Sequence, residues 1–167
     1  MQMPILIVDD NRIMRIVLKD ILLRNSNIQE QLIFESASAE QAIKIVKLVS
    51  PVLIFVDIHL LGIDGITLVK QIRENECESY ITIFSSSRKK SDIIESIKAG
   101  ANNYLMKPPD IKRIIEILEK INLKITRPDK TNQSPRYIVG EEAKNKPKAK
   151  ILVEDMIYLK NIGYKKK

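Results

Sequence analysis

Short apolar runs alternating with amphipathic stretches constrain this chain more than any other feature. The runs are Ile5 to Val8, Leu32 to Phe34, Val52 to Val56, Ile81 to Phe84 and Tyr104 to Met106. Each is strand-length, and each is followed by enough residues for a helix. Such alternation predicts an α/β fold with a parallel sheet covered on both faces. The near-continuous apolar character of the first and third runs fits strands buried on both sides. Right-handed crossovers leave few topologies, and the doubly wound order 2-1-3-4-5 is the natural one. Five strands, five helices and a short C-terminal extension are therefore expected.

The helical stretches carry their own signals. Ile13, Met14, Val17, Ile21 and Leu22 repeat at helical spacing and predict an apolar stripe on the first helix. Ser38-Ala39-Glu40-Gln41 reads as a capping box opening a helix to about Val49. A third helix is expected from about Ile66 to Arg73. Ser91 is the expected N-cap of a helix from Asp92 to Ala99, which Gly100 terminates. Asp110 is placed to cap a last helix with Ile111, Ile114, Ile115 and Leu118 on one face.

At 167 residues the chain is long enough for one domain with a proper core and short for two. Val52 to Val56 is far below the roughly 18 apolar residues of a membrane span. The opening MQMPILIVDD has no basic segment of the signal-peptide kind. A single cysteine, Cys77, cannot make an internal disulfide and is read as inert, which suits a reducing cytoplasm. The net charge of +7 is unevenly placed: Arg127 to Lys167 holds 11 Lys/Arg against 5 Asp/Glu, leaving only +1 for the rest. A basic tail can attract nucleic acid or an anionic surface, and it can equally be a solvated segment.

The organisation expected is a domain over 1–123, a polar and basic linker over 124–150, partly disordered, and a short amphipathic helix over 151–163. Residues 126–135 hold two prolines and no periodicity. The stretch 144–150 alternates lysine with Asn, Pro and Ala. Leu152, Met156 and Leu159 recover helical spacing.

Four of the runs end beside chemistry. Asp9-Asp10, Asp57, Ser85 and Lys107 stand at the carboxyl ends of four separate predicted strands. In a parallel sheet those ends converge on one edge, where open α/β sheets bind their ligands. Three carboxylates suit a hard cation such as Mg²⁺, which takes oxygen ligands. Without a cation their mutual repulsion would raise their pKa values. A carboxylate can also act as a nucleophile towards phosphorus, and the Lys107 ammonium and Ser85 hydroxyl suit phosphoryl oxygens. Taken singly, each has an ordinary alternative: Asp9-Asp10 a helix cap, Asp57 a turn former, Ser85 a loop hydroxyl, Lys107 a surface lysine. Four strand ends together make coincidence a poor explanation.

At this point a resemblance emerges. Leu6-Ile7-Val8-Asp9-Asp10, Met14-Arg15, Phe55-Val56-Asp57, Asp64-Gly65, Ile83-Phe84-Ser85-Ser86, Gly100-Ala101-Asn102-Asn103-Tyr104 and Lys107-Pro108 resemble the motifs of receiver domains of two-component response regulators. The likeness covers Met1 to about Asn122 and is to the single-domain chemotaxis type, with a flavodoxin-like fold. It implies that Asp57 accepts phosphate from a histidine kinase or phosphotransfer protein. It implies Mg²⁺ held by Asp9, Asp10, Asp57 and the backbone carbonyl of His59, and conformational switching by Ser85 and Tyr104. The resemblance also implies a cis Lys107-Pro108 bond, tuning of phosphoryl lifetime by His59 and Ser87, and a cytoplasmic protein that signals through an output partner. Such a protein is no enzyme beyond its own phosphorylation and dephosphorylation, and can dimerise when phosphorylated. One departure is Leu61, where the family usually has proline four residues after the acceptor.

Two other functions fit parts of the sequence. The first alternative is a transcription regulator that binds DNA through the basic tail; the 44 residues after Leu123 are too few for a winged helix and marginal for a compact helix-turn-helix, so DNA is not expected as a partner. A Mg²⁺-dependent aspartyl-phosphate phosphatase of the haloacid-dehalogenase type wants a second Asp two residues after the nucleophile, where His59 stands.

Overall fold

The computed structural model describes residues 3–126, the last four through their backbone alone. Five strands, β1 (Ile5–Val8), β2 (Ile33–Ser36), β3 (Leu53–Val56), β4 (Tyr80–Ser85) and β5 (Asn103–Met106), alternate with five helices. These are α1 (Arg12–Asn25), α2 (Ala39–Val49), α3 (Gly65–Glu74), α4 (Lys90–Lys98) and α5 (Ile111–Thr126). The sheet is wholly parallel, in the expected order β2-β1-β3-β4-β5.

Every residue of β1 and β3 is buried, as the continuous apolar runs require. Ile5, Ile7, Leu53, Phe55 and Phe84 face a core shared with Leu18 and Leu22 of α1 and with Ile114, Ile117, Leu118 and Ile121 of α5. Residues of opposite parity, including Leu6, Ile54 and Ile83, are buried as well, and α2 packs against β1 and β2.

The register positions the site. Val8 pairs with Val56, so the residues that follow, Asp9 and Asp57, leave the sheet at one level. Ile83 pairs with Val56, and Ser85 with Met106, which brings the next strand ends to the same edge. The Lys107 N–H bonds to the Ser85 carbonyl at 2.9 Å, so Lys107 begins where the ladder stops.

Local signals held in some places and shifted in others. Gly100 ends α4 with φ +105°: its N–H reaches the Ile97 carbonyl at 3.0 Å and the Ala101 N–H reaches Ser96 at 3.0 Å. Such a paired closure with positive φ favours glycine. Asp110 caps α5 through the Lys112 N–H at 3.0 Å. The capping box is half formed: Ser38 accepts from the Gln41 N–H at 3.3 Å, but the Gln41 side chain meets the Ser36 hydroxyl instead of the Ser38 N–H.

Three expectations are corrected. Ser91 lies inside α4, whose N-cap is Lys89 without a side-chain bond; the Ser91 hydroxyl bonds to the Asp92 carboxylate instead. Ile13 and Val17 are exposed, because α1 turns Leu18 and Leu22 to the sheet, with Met14 and Ile21 beside them. Ile111 is exposed and Ile117 and Ile121 are buried in α5, since the buried stripe starts one turn later. α5 also continues to Thr126, three residues into the stretch read as linker. The rest of that linker and the helix expected at 151–163 lie outside the described residues. No described helix is long and apolar enough to cross a membrane.

Candidate functional site

The carboxyl edge of the sheet brings Asp9, Asp10, Asp57, Ser85 and Lys107 together. Asp9 and Asp57 are almost fully buried, Asp10 is exposed, and Ser85 is out of contact with solvent. Lys107 Nζ sits 2.7 Å from Asp9 Oδ2 and 2.7 Å from Asp57 Oδ2, bridging both carboxylates. It also lies 5.4 Å from the centre of the Phe84 ring, whose face stabilises a cation. The other oxygens are held by backbone: Asp9 Oδ1 accepts from the Asn11 N–H at 2.8 Å, and Asp57 Oδ1 accepts from the His59 N–H at 3.3 Å. Each carboxylate is therefore oriented from two sides.

Asp9, Asp10 and Asp57 each offer an oxygen within 4.8 Å of the others, so the three could share one cation. The donors are hard oxygens, two nearly dry and one open to solvent, which fits a metal that keeps water ligands. Burial raises the Asp9 carboxyl above its ordinary value, although the Lys107 ammonium and the Asn11 N–H oppose the rise. Burial also works against the Lys107 charge, yet Asp57 and Asp9 together hold its pKa above the ordinary lysine value. These directions agree physically: the ammonium has two carboxylates, whereas Asp9 has half an ammonium and the Asp57 charge beside it.

The predicted switch residues are linked through Ser87. The Ser87 N–H donates to Ser85 Oγ at 3.3 Å, and the Ser87 carbonyl accepts from the Tyr104 hydroxyl at 2.8 Å. The Ser87 hydroxyl donates to the Asp92 carboxylate in the first turn of α4. Tyr104 is half-buried, which raises its hydroxyl pKa against the hydrogen bonds to Ser85 and Ser87 that lower it. His59 is exposed on the loop after β3, and Leu61 is strongly exposed there. The Lys107-Pro108 bond is cis, as expected.

Two contributors, Gly65 and Arg15, stand in the motifs Asp64-Gly65 and Met14-Arg15 with no role legible from sequence. At Gly65, a Cβ would lie 2.0 Å from the Asp57 carbonyl oxygen, so only glycine lets α3 start against the acceptor loop. Its N–H bonds to the Ile58 carbonyl at 2.9 Å, and Asp64 caps α3 through the Ile66 and Thr67 N–H groups. The signal was the Asp-Gly pair preceding an apolar run. Arg15 is the second: its Nη1 donates to the Asp9 carbonyl at 2.7 Å.

Residues 5–119 match the response regulator receiver domain family. The chain is 35% identical over 116 residues to the chemotaxis protein CheY of Bacillus subtilis, covering 70% of this chain and 94% of that protein. It is 30% identical over 118 residues to the chemotaxis protein CheY of Thermotoga maritima, covering 71% and 96%. The nitrate/nitrite response regulator NarL of Escherichia coli is 27% identical over 116 residues, 70% of this chain but only 53% of that relative. Among solved structures, a two-component response regulator from Clostridium difficile superposes with a TM-score of 0.68 at 27% identity, over 75% of this chain and 100% of that one. Sheet order, site geometry and these likenesses agree: the chain belongs to the response regulator receiver domain family of two-component systems.

Proposed function

We propose that this receiver accepts a phosphoryl group on Asp57 from a histidine kinase or phosphotransfer protein and signals through an output partner, in the manner of the chemotaxis type. The observation that carries the reading is the shared ammonium: Lys107 stands 2.7 Å from both Asp9 and Asp57, with Asp10 beside them. In the step proposed, an Asp57 carboxylate oxygen attacks phosphorus as the donor P–N bond breaks. The donor imidazole leaves, and an acyl phosphate forms on Asp57. Asp57 can attack because the His59 N–H and Lys107 fix its orientation. Lys107, already at the carboxylate, is in reach of an incoming phosphoryl oxygen, and Ser85 Oγ can bond another. Asp9, Asp10, Asp57 and the His59 carbonyl would hold Mg²⁺, which when bound neutralises charge on the phosphoryl oxygens.

Ser85 and Tyr104 are the proposed switch, with His59 and Ser87 tuning phosphoryl lifetime. If the phosphoryl group draws Ser85 Oγ, the Ser87 N–H loses its acceptor, and the Tyr104 and Asp92 contacts that share Ser87 are biased with it. We assign the receiver to residues 1–126, where α5 ends, and treat the remainder as a basic extension. The likeness to NarL spans about half of that relative and carries no DNA-binding activity to this chain.

Acetyl phosphate with Mg²⁺ should add one phosphate that alkali and hydroxylamine both remove, as they do an acyl phosphate, read by intact mass. Asp57→Asn should take up none, and equal labelling of that variant would refute the assignment.

A further inference from the structure

The geometry points to Arg15 as a positioning residue for the metal-binding loop, held in turn by Glu35 on the neighbouring strand. The inference rests on the reading that Asp9, Asp10 and Asp57 hold a divalent cation. Arg15 lies in the first turn of α1, where helical side chains fold back towards the N-terminus. Its Nη1 donates to the Asp9 carbonyl at 2.7 Å and stands 3.5 Å from the Asp10 carbonyl, the limit of a useful bond. The opposite side of the guanidinium faces β2, with Nε 3.3 Å from Glu35 Oε2. Glu35 is held further by Lys19 at 3.5 Å, and Lys19 pairs with Glu30 at 2.9 Å. The Arg15 side chain is only 14% exposed, so these contacts are screened less than surface ion pairs.

Arg15 thus braces the turn that carries both acidic residues. The Asp9 N–H is tied to the Ser36 carbonyl at 3.1 Å, and the Asn11 N–H to Asp9 Oδ1 at 2.8 Å. The Asp9 carbonyl lies past the end of β1, beyond its ladder, and Arg15 is the donor that reaches it. A planar guanidinium can serve a carbonyl on one side and a carboxylate on the other; a lysine ammonium cannot span both. Charge alone predicts the opposite outcome. A cation beside three carboxylates repels a metal, so deleting a purely electrostatic Arg15 would tighten Mg²⁺ binding. Weaker binding on deletion requires that the side chain acts through geometry.

The test uses the full chain, with calorimetric titration of MgCl₂ and hydrogen exchange of the Asn11 amide in metal-free protein. Arg15→Ala should weaken Mg²⁺ binding by about tenfold or more, the range for losing an outer-shell partner. Arg15→Lys should recover only part, which also guards against a poorly folded alanine variant. Glu35→Gln should weaken binding less, and add little on top of Arg15→Ala because it acts through the same side chain. The Asn11 amide should exchange faster in Arg15→Ala. Unchanged or tighter Mg²⁺ binding in Arg15→Ala, or full recovery by lysine, would overturn the proposal. If the parent protein and Asp10→Asn both fail to bind Mg²⁺, the metal reading falls. Asn11 exchange then still decides the brace, with unchanged protection refuting it.

Discussion

Replacing Lys107 with methionine removes the ammonium while keeping an unbranched chain against the Phe84 ring, where a thioether also packs well. The Lys107 side chain is 13% exposed, and its partners Asp9 and Asp57 are 2% and 7% exposed. Deleting one member of a buried ion pair costs about 3–5 kcal/mol, because the remaining charge is left unpaired. Two carboxylates remain here, which pushes the cost up. Against that, the site opens to water through Asp10, and Asp9 can take up a proton. The lower end, about 3 kcal/mol, is therefore expected. At about 4 °C per kcal/mol for a domain of this size, that is a fall of about 12 °C in melting temperature at pH 7 in EDTA.

The pH dependence has a definite sign. Burial and the Asp57 charge raise Asp9 in the folded protein, and losing Lys107 must raise it further. A carboxyl raised by folding favours the fold most below its unfolded value of 3.8 and loses that contribution as pH rises through the folded value. The deficit of the variant should therefore shrink as pH falls towards 4. Lys107, raised above 10.5, keeps its contribution in the parent through neutral pH and loses it only in strong alkali. A cation can replace the ammonium, so at one fixed Mg²⁺ concentration the variant should gain more than the parent, about 2.7 kcal/mol where that concentration is a hundred times its Kd. Thermal melts by circular dichroism, with EDTA or Mg²⁺ from pH 4 to 8, read all three effects. The reasoning is refuted if variant and parent melt together in EDTA at pH 7, or if Mg²⁺ stabilises both equally.

Gly65→Ala should destabilise the domain by about 1–3 kcal/mol, the range for forced overpacking. It should also slow acetyl phosphate labelling of Asp57, whose carbonyl the new Cβ would meet at 2.0 Å; labelling at the parent rate would show that the loop gives way freely. Asp64 is opposed by burial, but its bonds from Thr67 and Ile66 bring its pKa below 3.8. Its stabilisation is present above that value and lost as pH falls through the lower folded one. Asp64→Asn should therefore show a flatter acid limb in urea melts between pH 4 and 2, and an unchanged slope would contradict the assignment.

The fold was legible because it depends on period and punctuation, which a sequence carries openly. Ile5 to Val8 and Val52 to Val56 read as buried strands, Gly100 as a helix stop, and Asp9 and Asp57 as neighbours once the strands are placed in parallel. Errors arose where two apolar faces competed. α1 offers Ile13-Val17 and also Leu18-Leu22, and only packing against the sheet decides that the second pair is buried. The site was legible in its chemistry but not in its supports. Arg15 and Glu35 are 20 residues apart and meet only because β2 lies beside β1. Ser87 meets Ser85 and Tyr104 through its backbone N–H and carbonyl, which carry no mark of residue type, and only its bonds to Asp92 and Lys89 use the hydroxyl. Side-chain identity announces a carboxylate or an ammonium. The link from Ser85 through Ser87 to Tyr104 and Asp92 is drawn largely by main chain, so it becomes visible only when the loop between β4 and α4 has a shape.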